Sequence, residues 1–218
     1  RSLWHKRIRR AVLQMKIFKL GLILSLVVSM YASPSRAAAE SPTLAIKRAH
    51  GRINRLLAKK TRPGTAADQK IRLQVTREVN GFLDFRELAK RAMGRHWTAR
   101  TEQEQNEFVD ILRNLIERNY VKQLRTNLGY TIQYRGEEKE RDSAKVVTAV
   151  KIKKNRRTTE LTIEYRMRRA DSGWMVYDVV TDDVSIVRNY RSQFNRIIRK
   201  ESYEALVKRM RDKLHETS

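Results

Sequence analysis

Leu161-Thr162-Ile163-Glu164-Tyr165-Arg166-Met167-Arg168 alternates between apolar and polar side chains without a break. A period of two predicts a strand with one buried face, so Leu161, Ile163, Tyr165 and Met167 are expected inward and their neighbours outward. The same pattern continues on either side. Tyr130–Arg135, Ala144–Lys153 and Trp174–Thr181 read as three more strands, and Thr158–Arg168 is the full extent of the central one. Lys154-Asn155-Arg156 and Ala170-Asp171-Ser172-Gly173 supply hairpin turns. Connections this short predict an antiparallel meander with one wet face and one covered face.

Outside these strands the period changes to 3.6. Thr43–Lys60 reads as a helix, with a break expected at Gly51, and Ala66–Asn80 reads as a second helix. Asp84 is placed to cap a short helix over Phe85–Met93, closed by Gly94. Thr101-Glu102-Gln103-Glu104 is a capping box that opens the longest helix, about 102–127, ended by Gly129. Phe108, Ile111, Leu112, Leu115, Ile116, Tyr120 and Leu124 form its apolar stripe. Asp182 or Asp183 is expected to cap a helix from Val184 to about Arg199, and Ser202–Leu214 is the last helix. The fold class is α+β: a four-stranded antiparallel sheet wrapped by N-terminal and C-terminal helices. The apolar stripes either close into a solid core or leave an apolar cavity between sheet and helices.

The chain has 218 residues, no cysteine, and 48 Lys and Arg against 24 Asp and Glu, a net charge of +24. Lack of cysteine excludes disulfides, thiolate metal sites and cysteine nucleophiles. The charge first suggests nucleic acid or an anionic membrane. Eight of the basic residues lie in residues 1–39, which hold no acid. There a basic segment precedes the apolar run Leu20–Met30, and Ala37-Ala38-Ala39 follows. That order is a secretory signal peptide; the run is too short for a membrane span, and an N-terminal anchor is the alternative. Cleavage is expected after Ala39, with Ala37 as the other position. Met15-Lys16 makes a more ordinary start, which marks residues 1–14 as an over-extended reading frame. Residues 40–218 then form one domain of net charge +16, expected to be exported.

No phosphate-loop, dinucleotide, nucleophile-elbow or zincin motif occurs. His50, His96 and His215 are not at metal-ligand spacing, so no metal and no cofactor is expected, and His96 beside Trp97 reads as a capping or packing residue. Asp178, Asp182 and Asp183 read as a strand-face ion pair and helix caps rather than catalytic carboxylates. The basic hairpin around Lys151, Lys153, Lys154, Arg156 and Arg157 reads as a solvated edge.

Four stretches together resemble the MlaC family, also called toluene-tolerance auxiliary proteins. They are Phe82-Leu83-Asp84-Phe85 with Ala92-Met93-Gly94-Arg95-His96-Trp97; Thr101 to Tyr120; Tyr165-Arg166-Met167 through Gly173 to Val179; and Val184 through Asn189-Tyr190-Arg191-Ser192-Gln193-Phe194. The resemblance spans about residues 43–214. It implies a periplasmic phospholipid carrier without catalytic residues. Such a carrier shuttles lipid between an outer-membrane lipoprotein–porin complex and an inner-membrane ABC transporter with an MCE-domain protein. It also implies a cavity that shelters acyl chains. The stripes then supply its wall: Phe85, Leu88, Met93, Leu112, Leu115, Ile116, Tyr120, Ile163, Tyr165, Met167, Tyr177, Val187, Tyr190 and Phe194. Arg188 and Arg191 are placed to meet a head-group phosphate. Two other readings remain: a basic module for nucleic acid or an acidic polymer, and an NTF2-like enzyme that would need a buried, pKa-shifted acid or base. The carrier reading has no nucleic-acid partner.

Overall fold

The computed structural model describes residues 40–124, 130–154 and 157–216. The expected signal segment, Gly129, and the Asn155-Arg156 turn lie outside them. The six helices are α1 (Pro42–Leu57), α2 (Ala66–Asn80), α3 (Phe85–Met93), α4 (Glu102–Leu124), α5 (Ile186–Lys200) and α6 (Tyr203–Glu216). The strands are β1 (Tyr130–Lys139), β2 (Ser143–Lys154), β3 (Arg157–Ala170), β4 (Gly173–Thr181) and β5 (Val184–Ser185). They pair antiparallel in chain order, β1-β2-β3-β4-β5.

The sheet therefore has five strands, not the expected four. The fifth is only two residues long, too short for any period to show. Asp182 and Asp183 do not cap a helix. Both take positive φ, 43° and 66°, and turn the chain from β4 into β5. Aspartate tolerates that region better than most residues. The cap of α5 is Ser185, whose Oγ accepts from the Arg188 N–H.

α1 runs through Gly51 unbroken. Its buried positions, Pro42, Ile46, Ala49, Ile53 and Leu57, recur at helical spacing. Their burial outweighs the cost of about 1 kcal/mol for one helical glycine. Ser41 caps α1 and Asp84 caps α3, each through its side chain. At α4 the expected capping box is complete: Thr101 Oγ1 accepts from the Glu104 N–H, and Glu104 Oε2 accepts from the Thr101 N–H.

The sheet puts Ala144, Val146, Tyr165, Met167, Trp174 and Val176 into one apolar cluster with Ile46 and Ala49 of α1 and with Phe82. A second cluster is helical, built from α3, α4, α5 and α6. A third joins Ile53 and Leu57 of α1 to Ile71 and Val75 of α2. Residues 82–84 tie the helices to the sheet: the Asp84 N–H donates to the Val176 carbonyl, and the Val176 N–H to the Phe82 carbonyl.

Candidate functional site

α1 lies across the inner face of the sheet and is fastened there by polar groups as well as apolar ones. Trp174 Nε1 donates to the Glu40 carbonyl at 2.9 Å, and Glu137 Oε2 accepts from the Thr43 N–H at 2.8 Å. Asn54 Oδ1 accepts from the Tyr130 hydroxyl. Between these ends sits His50, with Tyr134 Oη 3.1 Å from Nδ1 and Tyr165 Oη 3.1 Å from Nε2. A neutral imidazole has one donor and one acceptor nitrogen, so one hydroxyl donates to it and the other accepts. Burial pushes the His50 pKa down to about 4 and pushes the Tyr165 phenol up. Both groups are therefore uncharged at neutral pH. The tie is a neutral strut on a mostly apolar face that also holds the buried Thr148. Sequence reading missed it because the three residues are far apart in the chain and share no local pattern.

The expected wall residues divide between the two larger clusters. Phe85, Leu88, Met93, Leu112, Leu115, Ile116, Val187 and Phe194 are buried in the helical one, with Tyr190 packed at its margin. Tyr190 stacks on Phe194 at 5.3 Å, and Phe194 meets Phe108 edge-on at 5.4 Å. Tyr165 and Met167 are buried in the sheet cluster, with Ile163 against it. The Tyr120 side chain lies outside the described residues. Tyr177 belongs to neither cluster. The β3–β4 register shifts there, pairing Met167 with Val176 but Arg166 with Asp178. Period two already places Tyr177 outward, one residue after the inward Val176, and the Arg91 guanidinium lies 4.0 Å over its ring. The bulge instead shifts the residues that follow, pairing Val179 with Tyr165. The structure thus brings together the helical set and, separately, the sheet set.

The expected head-group residues Arg188 and Arg191 share a groove of about 540 Å³ between the α3 C-terminus and α5. Its other walls are Met93, Gly94, Arg95, His96, Ser192, Asn195 and Arg199. His96 Nε2 lies 3.1 Å from Asn195 Oδ1. Asp178 is a structural acid. It accepts from Ser185 Oγ at 2.7 Å and the Val187 N–H at 3.0 Å, with Arg166 Nη1 at 3.6 Å. Among the described residues no three His, Asp or Glu side chains are grouped to hold a metal ion. No helix among them is long and apolar enough to cross a membrane.

A family model described as MlaC protein matches residues 47–212. The chain belongs to the MlaC family. No curated protein sequence matches it. Among solved structures it is similar to the phospholipid-binding protein from Ralstonia solanacearum in complex with a phospholipid. That likeness has a TM-score of 0.66 at 20% identity, over 82% of this chain and 99% of the other. At that identity the likeness establishes a shared fold. The MlaC match starts inside α1 and ends inside α6. Both apolar clusters, the His50 strut and the arginine groove therefore fall mostly within it.

Proposed function

We propose that this chain is a periplasmic phospholipid carrier, exported by its N-terminal segment, that moves lipid between an outer-membrane lipoprotein–porin complex and an inner-membrane MCE-domain ABC transporter. The observation that carries the reading is membership of the MlaC family across nearly all of residues 40–218. The likeness in fold to a protein solved with a phospholipid supports it. Physical chemistry agrees. Two acyl chains of ~16 carbons cost roughly 25 kcal/mol to expose to water, at ~0.8 kcal/mol per CH₂. Only an apolar enclosure offsets a cost of that size, and both large clusters of this chain are aliphatic and aromatic. The acyl chains lie among the wall residues of these clusters, and the carrier acts by binding and release rather than catalysis. His50 is half-buried and pKa-shifted, as an enzyme would need. Both of its nitrogens are engaged by tyrosine hydroxyls, which leaves none for a substrate.

The test is mass spectrometry of lipid extracted from protein purified from a Gram-negative periplasm. Co-purifying phospholipid near one molecule per chain is expected. Protein that is folded and carries no phospholipid refutes the reading.

A further inference from the structure

The arginine groove has features that a solvated basic surface does not explain. Helix α5 contains Arg188, Arg191, Arg196, Arg199 and Lys200 and no acid at all. Arg188, Arg191, Asn195 and Arg199 are spaced three, four and four apart, which puts them in a row along one side of the helix for about 16 Å at 1.5 Å per residue. Arg95 completes the groove from the turn after α3. None of Arg95, Arg188, Arg191 and Arg199 forms an ion pair with a carboxylate among the described residues. Nearby acids are used elsewhere: Glu201 holds Arg209 at 2.7 Å and Glu87 holds Arg91 at 2.7 Å. Asp183 gives Arg188 only its backbone carbonyl.

Three of these guanidiniums, those of Arg95, Arg188 and Arg191, are also held in place by neutral acceptors. Arg191 Nε donates to the Arg91 carbonyl at 2.8 Å, one of the orphan carbonyls at the end of α3. Arg95 Nη2 donates to Asn195 Oδ1 at 3.1 Å. Gly94 takes φ +55° at the turn, and the Arg191 side chain lies over it at ordinary contact distance. Arg188 lies in the first turn of α5, where a cation opposes the helix dipole. Like charges gathered without acids, fixed by uncharged acceptors and set against a helix dipole, are arranged for an anion that is brought from outside.

We propose that this groove is a binding site for phosphate-type oxyanions. Forked guanidinium donors match the tetrahedral oxygens of a phosphate group, and several forks in a row favour a doubly charged or phosphodiester-bearing ligand over chloride. The phosphate of a lipid head group and free phosphate share this chemistry. The site lies along the α3–α5 seam and goes beyond the carrier reading, because it does not require lipid in either apolar cluster.

The experiment is isothermal titration of the purified protein at constant ionic strength, with chloride as the reference salt. One arm uses inorganic phosphate and the other uses dihexanoylphosphatidylglycerol below its micelle concentration. Saturable binding above the chloride reference is expected, weakened about tenfold by Arg199→Gln and by Arg191→Gln. Binding in the phosphate arm assigns a free oxyanion. Binding in the lipid arm alone assigns a head group. Arg191 also holds the end of α3, so Arg199→Gln is the variant that isolates the charge. The proposal is overturned if neither probe binds above chloride, or if both variants bind as the parent does. Co-purifying phospholipid, measured separately, reports on the carrier reading and is unaffected by failure here.

Discussion

Acidification should loosen α1 from the sheet through one residue. His50 is neutral in the fold, with a pKa of about 4, because its half-buried ring is desolvated between Tyr134 and Tyr165. Unfolded, it titrates near 6.5. Above pH 6.5 the ring is neutral in both states and contributes no pH dependence. As pH falls from 6.5 toward 4, the unfolded chain takes up a proton that the folded chain refuses, and stability falls. Between pH 7.5 and pH 4.5 the loss is about 2.5 kcal/mol, at 1.36 kcal/mol per pH unit and levelling off as the folded pKa is reached. Carboxylates also titrate in this range, so the assay is a difference. Urea unfolding of the parent and of His50→Gln is measured at both pH values, and the parent should lose about 2.5 kcal/mol more than the variant. Equal losses, or a larger loss in the variant, refute a neutral strut.

Two further outcomes follow from hydrogen-bonded carboxylates and one from a strained glycine. Asp84→Ala should cost about 2–3 kcal/mol in urea unfolding, because Asp84 both caps α3 and holds Arg168 at 2.6 Å. Asp84→Asn keeps the cap and should recover about 1 kcal/mol of that loss. Asp178→Ala removes the acceptor of Ser185 Oγ and of the buried Val187 N–H, and should cost about 2–4 kcal/mol by the same measurement. Gly94→Ala should cost about 1–3 kcal/mol through backbone strain. The added Cβ meets only ordinary contacts at 3.7 Å or more, so Gly94→Ser should behave alike.

The parts of this fold that are legible in sequence are those in which burial repeats at a fixed period. β3 alternates from Leu161 to Arg168 because Tyr165 and Met167 are buried in the sheet cluster with Ile163 packed against it, while Thr162 on the other parity is exposed. The capping box at Thr101 is a local code and reads correctly. Tyr177 obeys the period: it follows the inward Val176 and so faces outward, and a place for it on the wall conflicts with that parity. What no local pattern marks is the bulge after Val176, which sets Val179 opposite Tyr165 and exists only in the pairing with β3. Asp182 and Asp183 carry an ambiguous code, since aspartate suits both helix caps and positive-φ turns. The hydroxyl of Ser185, three residues before Arg188, was the better signal. The His50 strut is tertiary throughout. For the arginine groove, Arg188 and Arg191 were readable, and the continued spacing to Asn195 and Arg199 would have extended the row. Arg95 joins only because α3 ends against α5.

The division of the wall residues into two clusters turns one question about cargo into two. Leu115 is buried in the helical cluster and Tyr165 in the sheet cluster. A tryptophan at either position adds bulk. In a core without a void it forces neighbours aside at a cost of about 1–3 kcal/mol. In a region that parts to admit acyl chains, the larger ring fits and displaces lipid instead. Leu115→Trp and Tyr165→Trp, made singly, therefore separate packing from carriage. The variant in the cargo region should keep the parent's thermal midpoint and lose bound phospholipid by mass spectrometry. The variant in the packed region should lose several degrees and keep its lipid. Tyr165→Trp also removes the hydroxyl on His50, so Tyr165→Phe serves as its reference. If both variants lose stability and both retain full lipid, neither cluster holds the acyl chains and the wall assignment fails as a whole.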